Sequence, residues 1–330
     1  MEILRRVSPA QTILKQAFIA GEMDAAVRSV IVMALIFVVA QLGAMAMVSS
    51  VLSEEDAAFE NPNDPLIPIL YILAMIGFTF AILYIIKKKR EQIVRVVFLG
   101  AVVFTIFYVL LVLILVVDTG VIALIASIGL TAVIAYYLVK KPEWYVIDAA
   151  GILVAIGVIG IFGISLQILP VMILLIVLAV YDAISVYGTK HMVALADGVT
   201  QMKLPILLVI PKKRGYSYLQ AKPLKQQLDE GGEREAMFMG LGDVIIPGVL
   251  IASSLNFLPT EAFAGVSGNL LVALGSLIGA VIGFALLMMF VLKGNPQAGL
   301  PLLNGGTIIG YAVAYLVVFR DISLGMTWPW

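Results

Sequence analysis

Apolar stretches of about 20 residues recur along this chain, and they constrain its fold more than any other feature. As an α-helix, such a stretch is long enough to cross the ~30 Å hydrocarbon core of a bilayer. Hydrophobic residues make up 62% of the chain and charged residues only 13%, too few charges to cover the surface of a soluble protein. The sequence therefore predicts an all-α polytopic membrane protein with little mass outside the bilayer.

Nine apolar segments can be marked, and we expect each to be a transmembrane helix. They are residues 26–48, 66–86, 93–117, 121–139, 144–164, 168–186, 237–258, 270–292 and 300–319. Spans 1–6 thus occupy 26–186, and spans 7–9 occupy 237–330. Residues 187–236 form the one long hydrophilic loop between them. Residues 1–25 resemble an interfacial helix, in which Pro9 suits the first helical position.

The basic residues predict the orientation of these spans. Lys and Arg tend to stay on the cytoplasmic side of a membrane. With nine spans and a cytoplasmic N-terminus, all of the 21 Lys and Arg residues except Arg320 fall on that side. Models with eight or ten spans break this alternation. The C-terminus is therefore expected outside, and the long loop 187–236 inside. We expect a multi-pass protein of the cell membrane.

Missing residue types exclude several classes of chemistry. The chain has no cysteine, which excludes disulfides, thiolate nucleophiles and zinc–cysteine sites. His191 is the sole histidine, so a multi-histidine metal site is excluded too. Carboxylates remain as the main candidates for chemistry, and we expect neither a metal nor a cofactor.

Three acidic residues lie within the apolar segments: Asp148, Asp182 and Asp243. An ionisable residue inside a membrane is costly, by at least ~2.5 kcal/mol on insertion scales, and so points to function. Measured from the basic residues that flank spans 6 and 7, Asp182 and Asp243 lie at similar helical depths, roughly 12 and 14 Å. Asp148 lies nearer the edge of its span, where we expect a structural role with partial hydration or a lysine partner.

Two carboxyl groups that face each other in a membrane cannot both ionise, so they share a proton. The ionised group can take a proton from water while the neutral group donates to a peptide carbonyl, which is aspartic-protease chemistry. Such a pair could equally bind a cation or relay protons. Spacing alone leaves hydrolysis and ion- or proton-coupled transport open, and a non-catalytic scaffold for membrane helices is a third class.

The local sequence around the two aspartates favours hydrolysis. Tyr181 precedes Asp182, and Gly240-Leu241-Gly242 precedes Asp243. These residues resemble the Tyr-Asp and Gly-x-Gly-Asp (GxGD) motifs of the presenilin and signal peptide peptidase superfamily of intramembrane aspartyl proteases, and are most similar to its archaeal presenilin homologues. The two glycines lack a β carbon and would let a substrate backbone approach Asp243.

That resemblance implies a third element, Pro-Ala-Leu at the start of span 9. Here Leu300 and the following Pro301 are kept, whereas Ala298 and Gly299 replace the first two residues. The resemblance implies an aspartic endopeptidase that cleaves transmembrane proteins or signal peptides, and the N-in orientation favours type I substrates. We also expect contact with membrane lipids and no nucleic acid. Obligate partner subunits are not implied, and a homo-oligomer is possible.

A short apolar run inside the long loop is bounded by two prolines. Because proline disfavours helix, residues 204–211 predict an extended segment at the cytoplasmic surface. A strand edge near the aspartates could bind an unwound substrate backbone by β-augmentation. The residues expected to shape the active site in this way are Leu204, Pro205, Ile206, Leu207, Leu208 and Val209.

Small residues also recur every four positions in span 8. Gly275, Gly279 and Gly283 form a stripe that is typical of close helix packing in membranes. We expect another helix to pack against this stripe.

Overall fold

The structure of the protein is a computed structural model. It describes residues 9–50, 52, 56–59, 61–88, 91–115, 120–189, 205–213, 215–220, 235–293 and 297–327. The helices of these ranges are α1 (Pro9–Ser50), α2 (Leu66–Lys87), α3 (Glu91–Leu115), α4 (Val121–Lys140), α5 (Trp144–Ser165), α6 (Ile168–Ile184), α7 (Leu241–Phe257), α8 (Gly268–Leu292) and α9 (Gly299–Phe319). The strands are β1 (Leu207–Pro211), β2 (Ala236–Gly240), β3 (Ala262–Phe263) and β4 (Val266–Ser267).

The helices agree closely with the apolar segments of the sequence. Within the described ranges, seven helices are long and apolar enough to cross a membrane. They confirm a polytopic helical membrane protein. Helix α7 is also apolar but has only 17 residues. Helix α1 begins at Pro9 and continues to Ser50 without a break, so residues 9–25 of the expected interfacial segment join span 1 as one helix. Residues 1–8 lie outside the described residues.

The start of α7 differs from the sequence prediction. Met237 was expected to begin a helix, but Ala236–Gly240 form β2 and the helix begins at Leu241. The reason is that β2 pairs with β1, which satisfies the backbone groups of β2 that face β1 before the helix begins. Of the predicted extended segment 204–211, Leu207–Pro211 form β1, and Leu204 lies outside the described residues.

Strands β1 and β2 form an antiparallel two-stranded sheet in which Leu207 lies opposite Gly240 and Pro211 opposite Ala236. Hydrogen bonds extend the pairing at both ends. The Lys212 amide donates to the Glu235 carbonyl, and the Leu241 amide donates to the Ile206 carbonyl. This sheet ends where α7 begins, two residues before Asp243.

Helix α5 lies at the centre of the fold and packs against α1, α3, α7 and β1. Its glycines allow this close packing. A β carbon on Gly157 would lie 2.2 Å from the Val109 side chain, and one on Gly163 would lie 2.3 Å from Ala252. The helix that carries Asp243 is therefore held tightly against the core.

Helices α8 and α9 interlock through glycines. A β carbon on Gly279 would lie 2.2 Å from the Gly306 carbonyl oxygen, and one on Gly310 would lie 2.4 Å from the Gly275 carbonyl oxygen. The predicted stripe on α8 therefore does mediate helix packing. Its partner is a second stripe on α9, which the sequence analysis did not identify.

Candidate active site

Asp182 lies in the last turn of α6 and is only 6% exposed. Its Oδ2 atom accepts a hydrogen bond from the Leu300 amide at 3.1 Å, and the Gly299 amide also faces this carboxylate. Leu300 and Gly299 are the first residues of α9, where helical N–H groups have no partner within the helix. Asp182 therefore caps the N-terminus of α9, where the helix dipole favours a negative group.

Asp243 lies in the first turn of α7, directly after β2. Its carboxylate accepts a hydrogen bond from the Gly240 amide, as an acidic residue at the third helical position commonly does. The depth predicted for Asp243 along a continuous helix is therefore wrong, because a strand precedes it. The strand and the short turn into α7 still carry this carboxylate to Asp182, and the two groups interact electrostatically.

The N-terminus of α9 touches both aspartates. Leu300 donates its amide to Asp182, as described above. A β carbon on Gly299 would lie 3.1 Å from Oδ2 and 3.4 Å from Oδ1 of Asp243. Two consecutive residues of α9 thus bring together two side chains from α6 and α7. The replacement of alanine by Gly299, which the sequence left without an explanation, places the smallest residue directly against Asp243.

A tyrosine that the sequence analysis did not single out fixes this segment. Tyr187 lies in a turn of π-helix, Ser185–Thr189, that follows α6. Its hydroxyl donates to Gln297 Oε1 at 2.6 Å and accepts from the Ala298 amide at 3.4 Å. Tyr187 therefore ties the residues before α9 to the same helix end that carries Asp182.

A buried glutamine supports the helix of Asp243. Gln41 of α1 is fully buried, and its Nε2 donates to the Val244 carbonyl at 2.9 Å. Pro247 lies inside α7 and has no amide to donate, so this first part of the helix lacks one of its internal hydrogen bonds. Gln41 thus adds a hydrogen bond beside Asp243 where the helix is weakened.

Asp148 has a structural partner rather than a lysine. This residue of α5 is 4% exposed, and its Oδ1 accepts the Val209 amide of β1 at 2.7 Å. Its Oδ2 is buried and has no hydrogen-bond partner among the described residues. The partner that the structure shows is the backbone of β1, because the loop folds back as a strand and supplies an amide donor.

The structure places the remaining predicted residues of α6, α7 and α9 in different surroundings. Gly242 is exposed, and a β carbon there would meet open space. Leu241 is buried in the core. Tyr181 is 47% exposed beside Asp182. Pro301 lines an apolar groove between α8 and α9.

Strand β1 is enclosed on both edges. One edge pairs with β2, and the other faces α5 and α1, where Val209 binds Asp148 and the Pro211 carbonyl accepts the Ser29 hydroxyl at 3.0 Å. Leu208 and Val209 are buried. The predicted use of β1 as an open edge is therefore wrong.

The described residues bring together no group of three histidine or acidic side chains that could hold a metal ion. Fold and site define a polytopic helical membrane protein in which two helix ends present paired carboxyl groups to the N-terminus of a third helix.

Comparisons with known proteins identify the family. A model described as "Signal-peptide peptidase, presenilin aspartyl protease" matches residues 33–320. Two solved structures, in different space groups, are each described as a presenilin family intramembrane aspartate protease, and each is 33% identical to this chain. The first covers 87% of this chain and 99% of its own at a TM-score of 0.64; the second covers 86% and 96% at 0.58. No curated protein matches the sequence.

The chain belongs to the signal-peptide peptidase and presenilin family of aspartyl proteases. It is an intramembrane aspartic endopeptidase, a hydrolase that acts on membrane proteins within the membrane.

Proposed function

We propose that Asp182 and Asp243 are the catalytic pair of this protease. The observation that carries the proposal is the contact of Gly299 and Leu300 with the two carboxyl groups, which holds residues from α6 and α7 at one place. Paired carboxyl groups can activate water and protonate a peptide carbonyl without a metal. In this arrangement Asp182 suits the role of base, because the amides of Leu300 and Gly299 both face its carboxylate, whereas one amide, that of Gly240, donates to Asp243. Asp243 then donates the proton to the peptide carbonyl.

A transmembrane substrate must unwind before it is cleaved, and its freed backbone groups then need partners. The outer edge of β2 suits this task. Antiparallel pairs alternate between hydrogen-bonded and non-hydrogen-bonded positions. The hydrogen bonds that join residues 212 and 235, and 206 and 241, make residues 209 and 238 a non-hydrogen-bonded pair. The Val209 amide does point away from β2, since it binds Asp148.

By the same alternation, the N–H and C=O groups of Phe238 point away from β1. The sheet has two strands among the described residues, so this edge of β2 has no strand neighbour there. It leads directly to Gly240, whose amide binds Asp243, and to the open space beside Gly242. We assign β-augmentation of the substrate to Phe238 on β2 in place of the originally predicted residues of β1.

The topology we propose has nine spans, with the N-terminus in the cytoplasm and the C-terminus outside. The seven long apolar helices support it, and α2 and the shorter α7 supply the other two spans. The positions of Lys and Arg support the direction. This direction favours type I transmembrane proteins as substrates and the cell membrane as the location. Both aspartates then lie near the cytoplasmic side, as does the sheet.

The test is cleavage of a model transmembrane peptide by purified protein, with product masses measured. Asp182→Asn and Asp243→Asn should each abolish cleavage, whereas the matched control Asp148→Asn should retain it. Near wild-type cleavage by either of the first two variants would remove that residue from the catalytic pair. Proton or cation flux in liposomes without any peptide product would favour a transporter instead.

A further inference from the structure

A buried amide lies in the middle of the contact between α9 and α6. Asn304 of α9 is fully buried, and its Nδ2 donates a hydrogen bond of 2.8 Å to the Leu175 carbonyl of α6. Its Oδ1 is also buried and has no hydrogen-bond partner among the described residues. A polar side chain within a membrane-spanning helix is costly and points to function. Packing alone therefore does not explain an amide at this position.

The surroundings of Asn304 are apolar. Leu300 and Ile308 lie one helical turn to either side on the same face of α9, and both pack against the apolar cluster that contains Leu175 and Leu178 of α6. Apolar side chains in a membrane favour no single axial position strongly, because lipid is as apolar as the neighbouring helix. A hydrogen bond does favour one position, since it weakens steeply when its distance and angle change. The bond from Asn304 therefore fixes the depth of α9 relative to α6.

The same face of α9 carries the contact with Asp182. The Leu300 amide donates to Asp182, and four residues further along α9 the Asn304 side chain donates to a carbonyl seven residues earlier in α6. Asn304 and Leu300 are only about 6 Å apart along the helix axis. Because they belong to one continuous helix, an axial shift at Asn304 moves Leu300 and Gly299 by the same amount.

The two hydrogen bonds differ in what happens to them during catalysis. In the proposed mechanism Asp182 takes a proton from water, and a neutral carboxyl group accepts the Leu300 amide more weakly than a carboxylate does. The Asn304 amide does not titrate, and its acceptor is a backbone carbonyl. The bond from Asn304 therefore persists while the bond to Asp182 weakens.

We infer that Asn304 is a positioning residue for the proposed catalytic pair, on which this inference rests. Its bond to the Leu175 carbonyl holds the first turn of α9 at the depth of the two aspartates. The other side of α9 is held by packing, because a β carbon on Gly306 would lie 2.4 Å from the Gly279 carbonyl oxygen of α8. Helix α9 is thus fixed between α8, through glycine packing, and α6, through this hydrogen bond.

The test compares Asn304→Leu with the matched control Thr307→Val in the purified full-length protein. Leucine keeps the branched shape of asparagine but cannot donate. Thr307 is equally buried in α9, yet its hydroxyl donates to the Leu303 carbonyl of its own helix. Because a shift of about 1 Å can cost about 100-fold in rate, Asn304→Leu should lower kcat for a transmembrane peptide by roughly 10- to 100-fold. KM for Asn304→Leu, and kcat for Thr307→Val, should stay within about twofold of wild type.

Spin labels measure the position of α9 directly. The chain has no cysteine, so cysteines introduced at Ile184, the last residue of α6, and at Val317, near the far end of α9, carry the only labels. Both side chains are more than half exposed. With Asn304→Leu, the distance distribution from double electron–electron resonance should shift or broaden by about 1 Å or more, and with Thr307→Val it should not change.

Stability separates positioning from a merely structural role. Asn304→Leu also removes the buried oxygen that has no partner, so we expect its melting temperature to stay near that of wild type. An unchanged kcat or an unchanged label distance in Asn304→Leu would overturn the inference. Should this variant fail to fold, Asn304→Ala is compared with Thr307→Ala, and equal kcat values for that pair would overturn it. Failure of the catalytic proposal is distinct, since it would appear as cleavage by Asp182→Asn and leave the label distances unaffected.

Discussion

The α carbon of Gly299 faces the carboxyl group of Asp243 so closely that a β carbon would lie 3.1 Å from Oδ2. Gly299 therefore sets the space available to one member of the proposed catalytic pair. The next residue, Leu300, binds the other member through its backbone. A larger side chain at residue 299 should therefore lower the cleavage rate more than it lowers the stability of the fold.

Gly299→Ala requires Asp243 to shift by only a few tenths of an ångström, so we expect cleavage within about threefold of wild type. Gly299→Val adds two further carbons and should displace the carboxyl group by about 1 Å, which costs about 100-fold in rate. Single-turnover cleavage of a transmembrane peptide measures both. Equal rates for the two variants, with equal thermal stability, would contradict this role of Gly299.

Tyr187→Phe removes the hydroxyl that binds Gln297 and Ala298, and leaves the ring in place. Each hydrogen bond contributes about 1 kcal/mol, so loosening the start of α9 should lower the cleavage rate roughly fivefold to tenfold. Tyr136→Phe is the matched control, since Tyr136 is equally exposed on α4. We expect no change in the control. A rate loss shared by both variants would point to a general effect of tyrosine removal.

The positions of the helices could be predicted from sequence because a membrane-spanning helix needs a long apolar run, and few other structures tolerate one. Strand β2 could not be predicted in this way. Met237–Met239 is apolar and adjoins α7, and a short apolar run does not distinguish strand from helix. Its pairing with β1 joins residues about 30 positions apart, which no local pattern encodes.

The two aspartates stood out because charge is rare within apolar segments. A wider criterion, any strongly polar side chain within an apolar segment, also finds Gln41, a buried amide in the middle of span 1. Tyr187 carries a weaker signal, as a second tyrosine six residues after Tyr181. The contacts of Gly299 and Leu300 depend on how α9 packs against α6 and α7, so the sequence could indicate them only through family resemblance.

Asp148 and Asp182 are both buried carboxylates, yet substitution of Asp148 should affect stability and substitution of Asp182 should affect activity. Asp148→Ala leaves the Val209 amide buried without an acceptor, which costs ~1–3 kcal/mol and should lower the melting temperature. Asp148→Asn keeps the acceptor oxygen and should preserve stability. Both should cleave substrate at measurable rates. Asp182→Asn should instead remain folded and be inactive, as circular dichroism and the cleavage assay would show.

Gln41→Met keeps the length of the side chain but removes the donor to the Val244 carbonyl. Because Pro247 already weakens this part of α7, we expect a loss of ~1–2 kcal/mol in the free energy of unfolding. Position 41 is also near Asp243, so cleavage should fall more than a purely global destabilisation of this size predicts. Cleavage measured well below the melting temperature separates the two effects. An unchanged melting temperature would show that Gln41 does not support α7.

Gly279→Ala tests the interlocked packing of α8 and α9. The added carbon would lie 2.2 Å from the Gly306 carbonyl oxygen, and a backbone atom cannot turn aside as a side chain can. The helices must separate, so we expect the free energy of unfolding to fall by ~1–3 kcal/mol, the usual cost of overpacking.

Gly129→Ala on α4 is the matched control, because a β carbon there meets no atom within 4 Å, and alanine favours helix over glycine by up to ~1 kcal/mol. Thermal melting should therefore show Gly279→Ala below wild type and Gly129→Ala at or above it. Since α9 also positions Gly299 and Leu300, the Gly279 variant should lose cleavage activity along with stability, whereas similar melting temperatures for the two variants would mean that the helices are not packed this closely.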